Sequence, residues 1–275
     1  MSGFSAEWLA LRAPADSRAR AVELEAVLGT ALATRAAPLT CVDLACGTGA
    51  NVLRLAPRLP GAQQWKLVDA DAALLGSAVA RCSGLCAADG ATIAVQDECV
   101  DLASADLREL LDGAELVTAS ALLDLVSESW LERLADAVVG ARAIALFALD
   151  YGGRRACDPP DPWDARAHRA FDRHQCTVKS FGVALGPDAA GHAVREFRGR
   201  DCKVLLARSD WILGPGDEEL QRALLRGWAA AATEIDPEAA AEYADWLGRR
   251  LAHVAAGASR LRVGHEDMLV LPRER

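Results

Sequence analysis

In the run Val42-Asp43-Leu44-Ala45-Cys46-Gly47-Thr48-Gly49-Ala50-Asn51, an apolar segment stops at a glycine-rich turn and helical spacing then resumes. Leu39 to Leu44 reads as a buried strand, and Asn51 to Leu55 as the helix that follows it. Glycines at such a turn let the backbone bend tightly and let a ligand approach with no side chain between. The helix start offers unpaired N–H groups, which suit a polar or anionic ligand group. A second apolar strand, Trp65-Lys66-Leu67-Val68-Asp69, ends in an acid about twenty residues after Gly49, the spacing of a ribose-binding carboxylate one strand further on. Strand, turn, helix and strand-end acid together point to a nucleoside-bearing ligand.

The dinucleotide fingerprint requires a third glycine three residues after the second, and that position here is Val52. An acid, Asp43, instead lies four residues before Gly47. Asp-x-x-x-Gly-x-Gly followed by Val68-Asp69-Ala70-Asp71 resembles the class I S-adenosylmethionine-dependent methyltransferases. The resemblance covers about residues 39–151. It implies S-adenosylmethionine as cofactor and S-adenosylhomocysteine as product. It implies that Asp43, Ala45, Cys46, Gly47 and Gly49 form the loop around the methionine half, with Asp69 and Ala70 at the ribose. An acid-then-apolar pair after the third strand would face the adenine; Asp101-Leu102 and Asp106-Leu107 both offer it, and Asp101 is preferred. After the fourth strand, Ala119-Ser120-Ala121-Leu122-Leu123-Asp124 resembles the segment beside the sulfonium, with Ser120 on the amino-acid moiety. Trp8 to Asp16 resembles the covering N-terminal helix of several small-molecule methyltransferases, which makes Arg12, and after it Arg20, the candidate for the cofactor's carboxylate; an arginine fork matches a carboxylate in bidentate fashion. Two other readings stay open: a protein that binds S-adenosylmethionine without turnover, and a nicotinamide-dinucleotide oxidoreductase.

Outside the glycine turn, helical and strand patterns alternate. Glu7 to Gly29 reads as helical with a break at Pro14, where Asp16 can cap the second segment. Asp71 to Cys82 and Trp130 to Val139 read as helices; Thr92–Val95, Glu115–Ala119 and Arg142–Leu149 read as strands three to five. The expected fold class is α/β: a Rossmann-like, seven-stranded, mostly parallel sheet with helices on both faces, N-terminal helices and helical insertions near the C-terminus. One domain is expected over 1–275, with a helical cover (1–37), a cofactor-binding core (38–153), a substrate lid (154–185), and C-terminal helices with the sheet edge (186–275). In that last part Lys203–Ala207 reads as a strand and Pro215 as the first residue of a helix with its stripe at Leu220, Leu224, Trp228 and Ala231. A further helix opens at Asp236-Pro237, and Leu261–Leu271 forms a final bent strand.

Composition narrows the function. Of 275 residues, 52% are hydrophobic and 25% charged, enough to build a core. The net charge of −9 and the scarcity of lysine argue against a nucleic-acid partner, whose phosphates need clustered cations. No apolar run reaches the eighteen or so residues of a membrane span, and Met1 to Trp8 has no basic start or signal core. A cytoplasmic monomer or homodimer acting on a small molecule is the expectation. The eight cysteines show no zinc spacing and read as small buried hydrophobes, so no metal is expected.

Methyl transfer needs alignment above all, and a base when the acceptor carries a proton. His174, beside Arg173 and near Lys179, is the first candidate for the base, because histidine titrates near neutral pH; His265 is second. Tyr151, directly after the fifth strand, is a second catalytic candidate. Asp124, Arg173 and Lys179 are the candidates for binding the acceptor. Asp158-Pro159-Pro160 departs from the Asp-Pro-Pro-aromatic loop of adenine methyltransferases and reads as a rigid turn.

Overall fold

The computed structural model describes residues 4–273; Met1–Gly3 of the expected cover and Glu274–Arg275 at the sheet edge lie outside it. Five parallel strands carry the core: β1 (Leu39–Leu44), β2 (Gln63–Asp69), β3 (Ile93–Cys99), β4 (Leu116–Ser120) and β5 (Ile144–Asp158). The helices before and between them are α1 (Ala6–Ala19), α2 (Val22–Leu32), α3 (Ala50–Leu55), α4 (Ala72–Cys82), α5 (Leu107–Leu110) and α6 (Glu128–Ala141). Beyond β5 come α7 (Asp164–Gln175), the hairpin β6 (Val178–Lys179) and β7 (Gly182–Val183), and α8 (Ala189–Gly199). The chain ends with β8 (Lys203–Arg208), β9 (Trp211–Leu213), α9 (Glu218–Ile235), α10 (Ala240–Ala255) and β10 (Arg260–Leu271).

The sheet runs β3-β2-β1-β4-β5-β10-β8, with β10 antiparallel to both neighbours and β9 paired beside its first half. The seven expected strands are thus joined by an eighth, β9, which the sequence reading had not separated. Alternation along each strand sends side chains to two cores. Val42, Val117, Ala145 and Phe147 pack under α5, α6 and α8 on one face. Cys41, Leu67, Leu116, Ile144 and Leu146 pack under α2, α3 and α4 on the other.

A third core caps the sheet beyond the strand ends. Here β5 continues past Asp150 and pairs with the first half of β10 through Asp158. Tyr151, Cys157, Leu261, Val263, Trp211 and Leu213 then pack against α7, α9 and α10, with Ala15 of α1 added. The fifth strand therefore runs on past its expected end at Leu149: the ladder partner lies more than a hundred residues away and leaves no trace in the local pattern. Arg250 of α10, fully buried, locks this cap by donating to Asp164 at the start of α7 and to the carbonyl of Pro159.

Two helix boundaries differ from expectation. Pro14 lies inside α1 and does not end it; Asp16 caps nothing and instead accepts from Arg12 four residues back and from Trp211 Nε1. Those contacts hold the helix across the hydrogen bond that proline removes. Pro215 precedes α9, which starts at Glu218, because Gly214 N–H donates to Asp217 in a tight turn.

Candidate active site

The carboxyl ends of β1 to β4 open into a cleft of about 560 Å³. Ligands of open α/β sheets lie in this position, where the connections diverge. Strand order sets its layout. On the β2–β3 side its wall is Asp69, Ala70, Asp71, Leu74, Asp101 and Leu102. On the β1–β4 side it is Ala45, Gly47, Ser120 and Ala121. Leu9 and Arg12 of α1 cover it, and Leu122, Leu125, Ser180 and Phe181 close the far wall. Eight of the sequence-derived cofactor candidates are thus brought together: Arg12, Ala45, Gly47, Asp69, Ala70, Asp101, Leu102 and Ser120.

Local chemistry explains the glycine turn. Asp69 accepts from the Gly47 N–H at 2.8 Å and from the Asp71 N–H at 3.0 Å. One carboxylate therefore holds the turn and the start of the β2–α4 connection, and it retains lone pairs for a ligand. Gly47 has φ +53°, and a Cβ there would stand 3.0 Å from Leu9. Ala45 occupies the same left-handed region at φ +51° without being glycine, as do Ala121 (+54°) at the end of β4 and Leu149 (+57°) in β5. Left-handed backbone costs an alanine roughly 1–2 kcal/mol, and such strain gathers at functional sites. Ala45→Gly should therefore raise the melting temperature by a few degrees, the relief exceeding the roughly 0.4–1 kcal/mol of added unfolded-chain entropy. A lower melting temperature in a thermal scan of this variant would refute the strain.

Three loop candidates lie behind the wall, not in it. Asp43, buried, accepts from Asn51 Nδ2 at 2.7 Å and from the Thr118 hydroxyl at 2.6 Å, tying β1 to α3 and β4. Burial pushes its carboxyl up to about 6, against the pull of those hydrogen bonds and of Arg20. Cys46 is buried in the core under α3 and α4, and burial raises its thiol. Gly49 is a packing glycine: a Cβ would meet Cys82 Sγ at 2.9 Å and the Ala78 backbone at 3.3 Å on α4. Val52, where a dinucleotide fingerprint needs glycine, is fully buried. Arg20 is spent on bracing, with Nη1 donating to Asn51 Oδ1 at 2.7 Å beside Asp267 and Glu25. Asp106 caps α5 through Arg108 N–H and Glu109 N–H, which leaves Asp101 as the one of the two that lines the cleft.

The catalytic candidates lie elsewhere. His174 sits in the last turn of α7, where its Nε2 pairs with Glu234 of α9 at 3.1 Å. Tyr151 donates to Asp172 at 2.7 Å inside the third core, beside the buried Arg155 guanidinium. Neither lines the cleft. Arg173 is exposed on α7. For His174 and Arg173 the physical reason is shared: Ala167, Ala170 and Phe171 make α7 amphipathic, and it docks on Trp228 of α9, turning the segment away from the strand ends. Tyr151 is carried into the third core by β5 and its pairing with β10. Of the expected lid, Ser180 and Phe181 line the cleft, with Lys179 adjacent. His265 is buried and packs at a tilt of 53° against Trp211, with ring centroids 4.7 Å apart; burial, with Arg12 nearby, lowers its imidazole to about 3, so it is neutral.

Sequence reasoning missed residues with no polar signature. Trp130 donates its Nε1–H to the Leu102 carbonyl at 2.7 Å and meets Phe181 edge-on at 5.1 Å, so one indole steadies both walls. Leu9, Leu74, Leu122 and Leu125 give the cleft its apolar surface. Three cysteines, Cys86, Cys99 and Cys176, are exposed rather than buried. Cys157, Asp164 and His168 converge within 4.8 Å. Asp164, however, already accepts from Arg250, Trp246 and the Asp161 N–H, and the cations beside this trio disfavour a metal.

The sheet order and the reversed β10 make the Rossmann-like, mostly parallel sheet expected from the sequence, with the cleft at its strand ends. Solved structures to which the chain is similar include methyltransferases of Thiobacillus denitrificans and Geobacter sulfurreducens, each in complex with S-adenosyl-L-homocysteine. They are 16% and 18% identical, with TM-scores of 0.48 and 0.47; the alignments span 98% and 96% of this chain and 99% and 98% of theirs. The YcgJ protein of Bacillus subtilis is 12% identical over 92% of this chain and 100% of its own, with a TM-score of 0.49. No protein-family model and no curated protein matches the sequence. Among the described residues no helix is long and apolar enough to cross a membrane.

Proposed function

We propose that the protein transfers a methyl group from S-adenosylmethionine to a small-molecule acceptor. The observation that carries this reading is Asp69, which lines the cleft while holding the Gly47 N–H. A carboxylate so placed can accept from ribose hydroxyls with its orientation already set. The residues fit the rest of the cofactor. Asp101 offers an acceptor for an exocyclic amine, Leu74 and Leu102 flank an aromatic ring, and Gly47 leaves room for the methionine backbone. Arg12 gives Nε and Nη2 to Asp16 and stacks over Trp211 at 5.0 Å, which leaves Nη1 for a carboxylate. The cleft volume lies within the usual range for small-molecule sites.

The cofactor, when bound, supplies an electrophilic methyl group on a positively charged sulfur. The protein's part is alignment, which can lower a barrier by roughly 7–11 kcal/mol. Ser120 and Ala121 keep the β4 end small, so an acceptor can approach closely. Phe181, Leu122 and Leu125 exclude water from that side.

Thermal melting tests the cofactor. S-adenosylhomocysteine at a hundredfold excess over its dissociation constant should stabilise the protein by about 2.7 kcal/mol, whereas NAD should leave the melting temperature unchanged. A shift with NAD alone would overturn the reading in favour of an oxidoreductase. Transfer of labelled methyl to any member of a metabolite extract separates an enzyme from a protein that only binds the cofactor.

A further inference from the structure

Asp124 lies in the short turn Leu123–Leu125 after β4, and its neighbours Leu122 and Leu125 both line the cleft. It is 8% exposed, and its Oδ1 has no hydrogen-bond partner among the described residues. The other acids at these strand ends each accept at least one hydrogen bond, although Asp43 Oδ2 is also open. Asn51 and Thr118 donate to Asp43, and the N–H groups of Gly47 and Asp71 donate to Asp69. Leu123 N–H donates to Asp150; those of Ala21 and Leu149 donate to Asp267. An open buried acceptor costs stability and calls for an explanation. Arg12 of α1, Lys179 of β6, and Asp150 and Tyr151 of β5 face it.

We infer that Asp124 takes the proton of the methyl acceptor, and that the acceptor is a neutral O–H or N–H compound, not a carboxylate; this rests on the methyl-transfer reading above. The acceptor's lone pair forms the new bond to the methyl carbon. The carbon–sulfur bond breaks with its electrons left on sulfur, and the acceptor's proton passes to the Asp124 carboxylate. A carboxylate acceptor has no proton to give and is repelled by Asp124. Burial raises the Asp124 carboxyl to about 6, opposed by its own backbone N–H, Arg12, the Tyr151 backbone N–H and Lys179. At neutral pH it is thus mostly ionised and still basic, the condition for an efficient general base.

The test needs no acceptor. The Asp124 carboxyl carbon is followed by NMR through a pH titration, assigned with Asp124→Asn, in the free protein, with S-adenosylhomocysteine and with S-adenosylmethionine. A nearby positive sulfur favours the carboxylate, so Asp124 should titrate about one pH unit or more lower with S-adenosylmethionine than with S-adenosylhomocysteine. Equal titration with both forms bound overturns the proposal. Failure of either form to bind in calorimetry instead removes the methyl-transfer reading, and the inference with it. A second measurement uses stability. The folded-state value of Asp124 lies above its unfolded value, so its penalty grows as pH rises through that interval and is complete above about 6. Asp124→Asn should therefore melt higher than wild type at pH 8, lose that advantage near pH 4, and keep its S-adenosylhomocysteine affinity within a few fold. A lower melting temperature at pH 8, or a tenfold loss of that affinity, would place Asp124 in the framework or the cofactor site and end the proposal.

Discussion

Arg250→Ala should lower the unfolding free energy by about 3–5 kcal/mol, the range for removing one partner of a buried ion pair. Arg250 is fully buried, and its guanidinium donates to both oxygens of Asp164 and to the carbonyl of Pro159. Asp164 also accepts from Trp246 Nε1 at 2.9 Å and from the Asp161 N–H at 2.8 Å. Alanine leaves a carboxylate short of its counter-charge and opens a cavity between α10 and α7. Chemical denaturation measures the loss. The double variant Arg250→Met with Asp164→Leu should recover only part of it, because the unpaired charge is gone while Trp246 Nε1–H and the Asp161 N–H lose their acceptor. A loss below about 1 kcal/mol in Arg250→Ala would mean that apolar packing alone holds the third core.

Asp69→Ala should weaken S-adenosylhomocysteine binding by about 3 kcal/mol, more than a hundredfold. Two effects add. The ribose loses its acceptor, and the Gly47 and Asp71 N–H groups lose the carboxylate that orders the turn before the ligand arrives. Asp69→Asn keeps one acceptor oxygen and should lose less. Calorimetry reads both variants directly. Unchanged affinity in Asp69→Ala would remove the ribose assignment, and with it the central contact of the proposed site.

These two effects also mark where sequence reading succeeds and where it stops. Gly47, Asp69 and Asp101 were legible as residues of the cleft wall because strand-end chemistry is local: an apolar run, a turn and an acid lie within a few residues of one another. Asp43 was legible as a residue of the loop but not as its brace, since Asn51 and Thr118 come to it from two other elements. His174 was misread because its neighbourhood in sequence, Arg173 and Lys179, differs from its neighbourhood in space, Glu234. Tyr151 stands away from the cleft because β5 runs on past the expected strand end at Leu149 into the third core.

By itself the sequence determined the alternation of strands and helices, the glycine turn, the acid on the second strand and hence the edge of the sheet where the cleft opens. Each follows from a period of two or 3.6 or from backbone freedom at glycine, properties that act over a handful of residues. The tertiary structure alone decided that β10 extends β5 into a third core, that α7 docks on α9 rather than over the cleft, and that Asp124 is left with an open acceptor. Those outcomes depend on which apolar faces and charges meet across a hundred residues or more, and burial then sets which polar groups are paired and which are not.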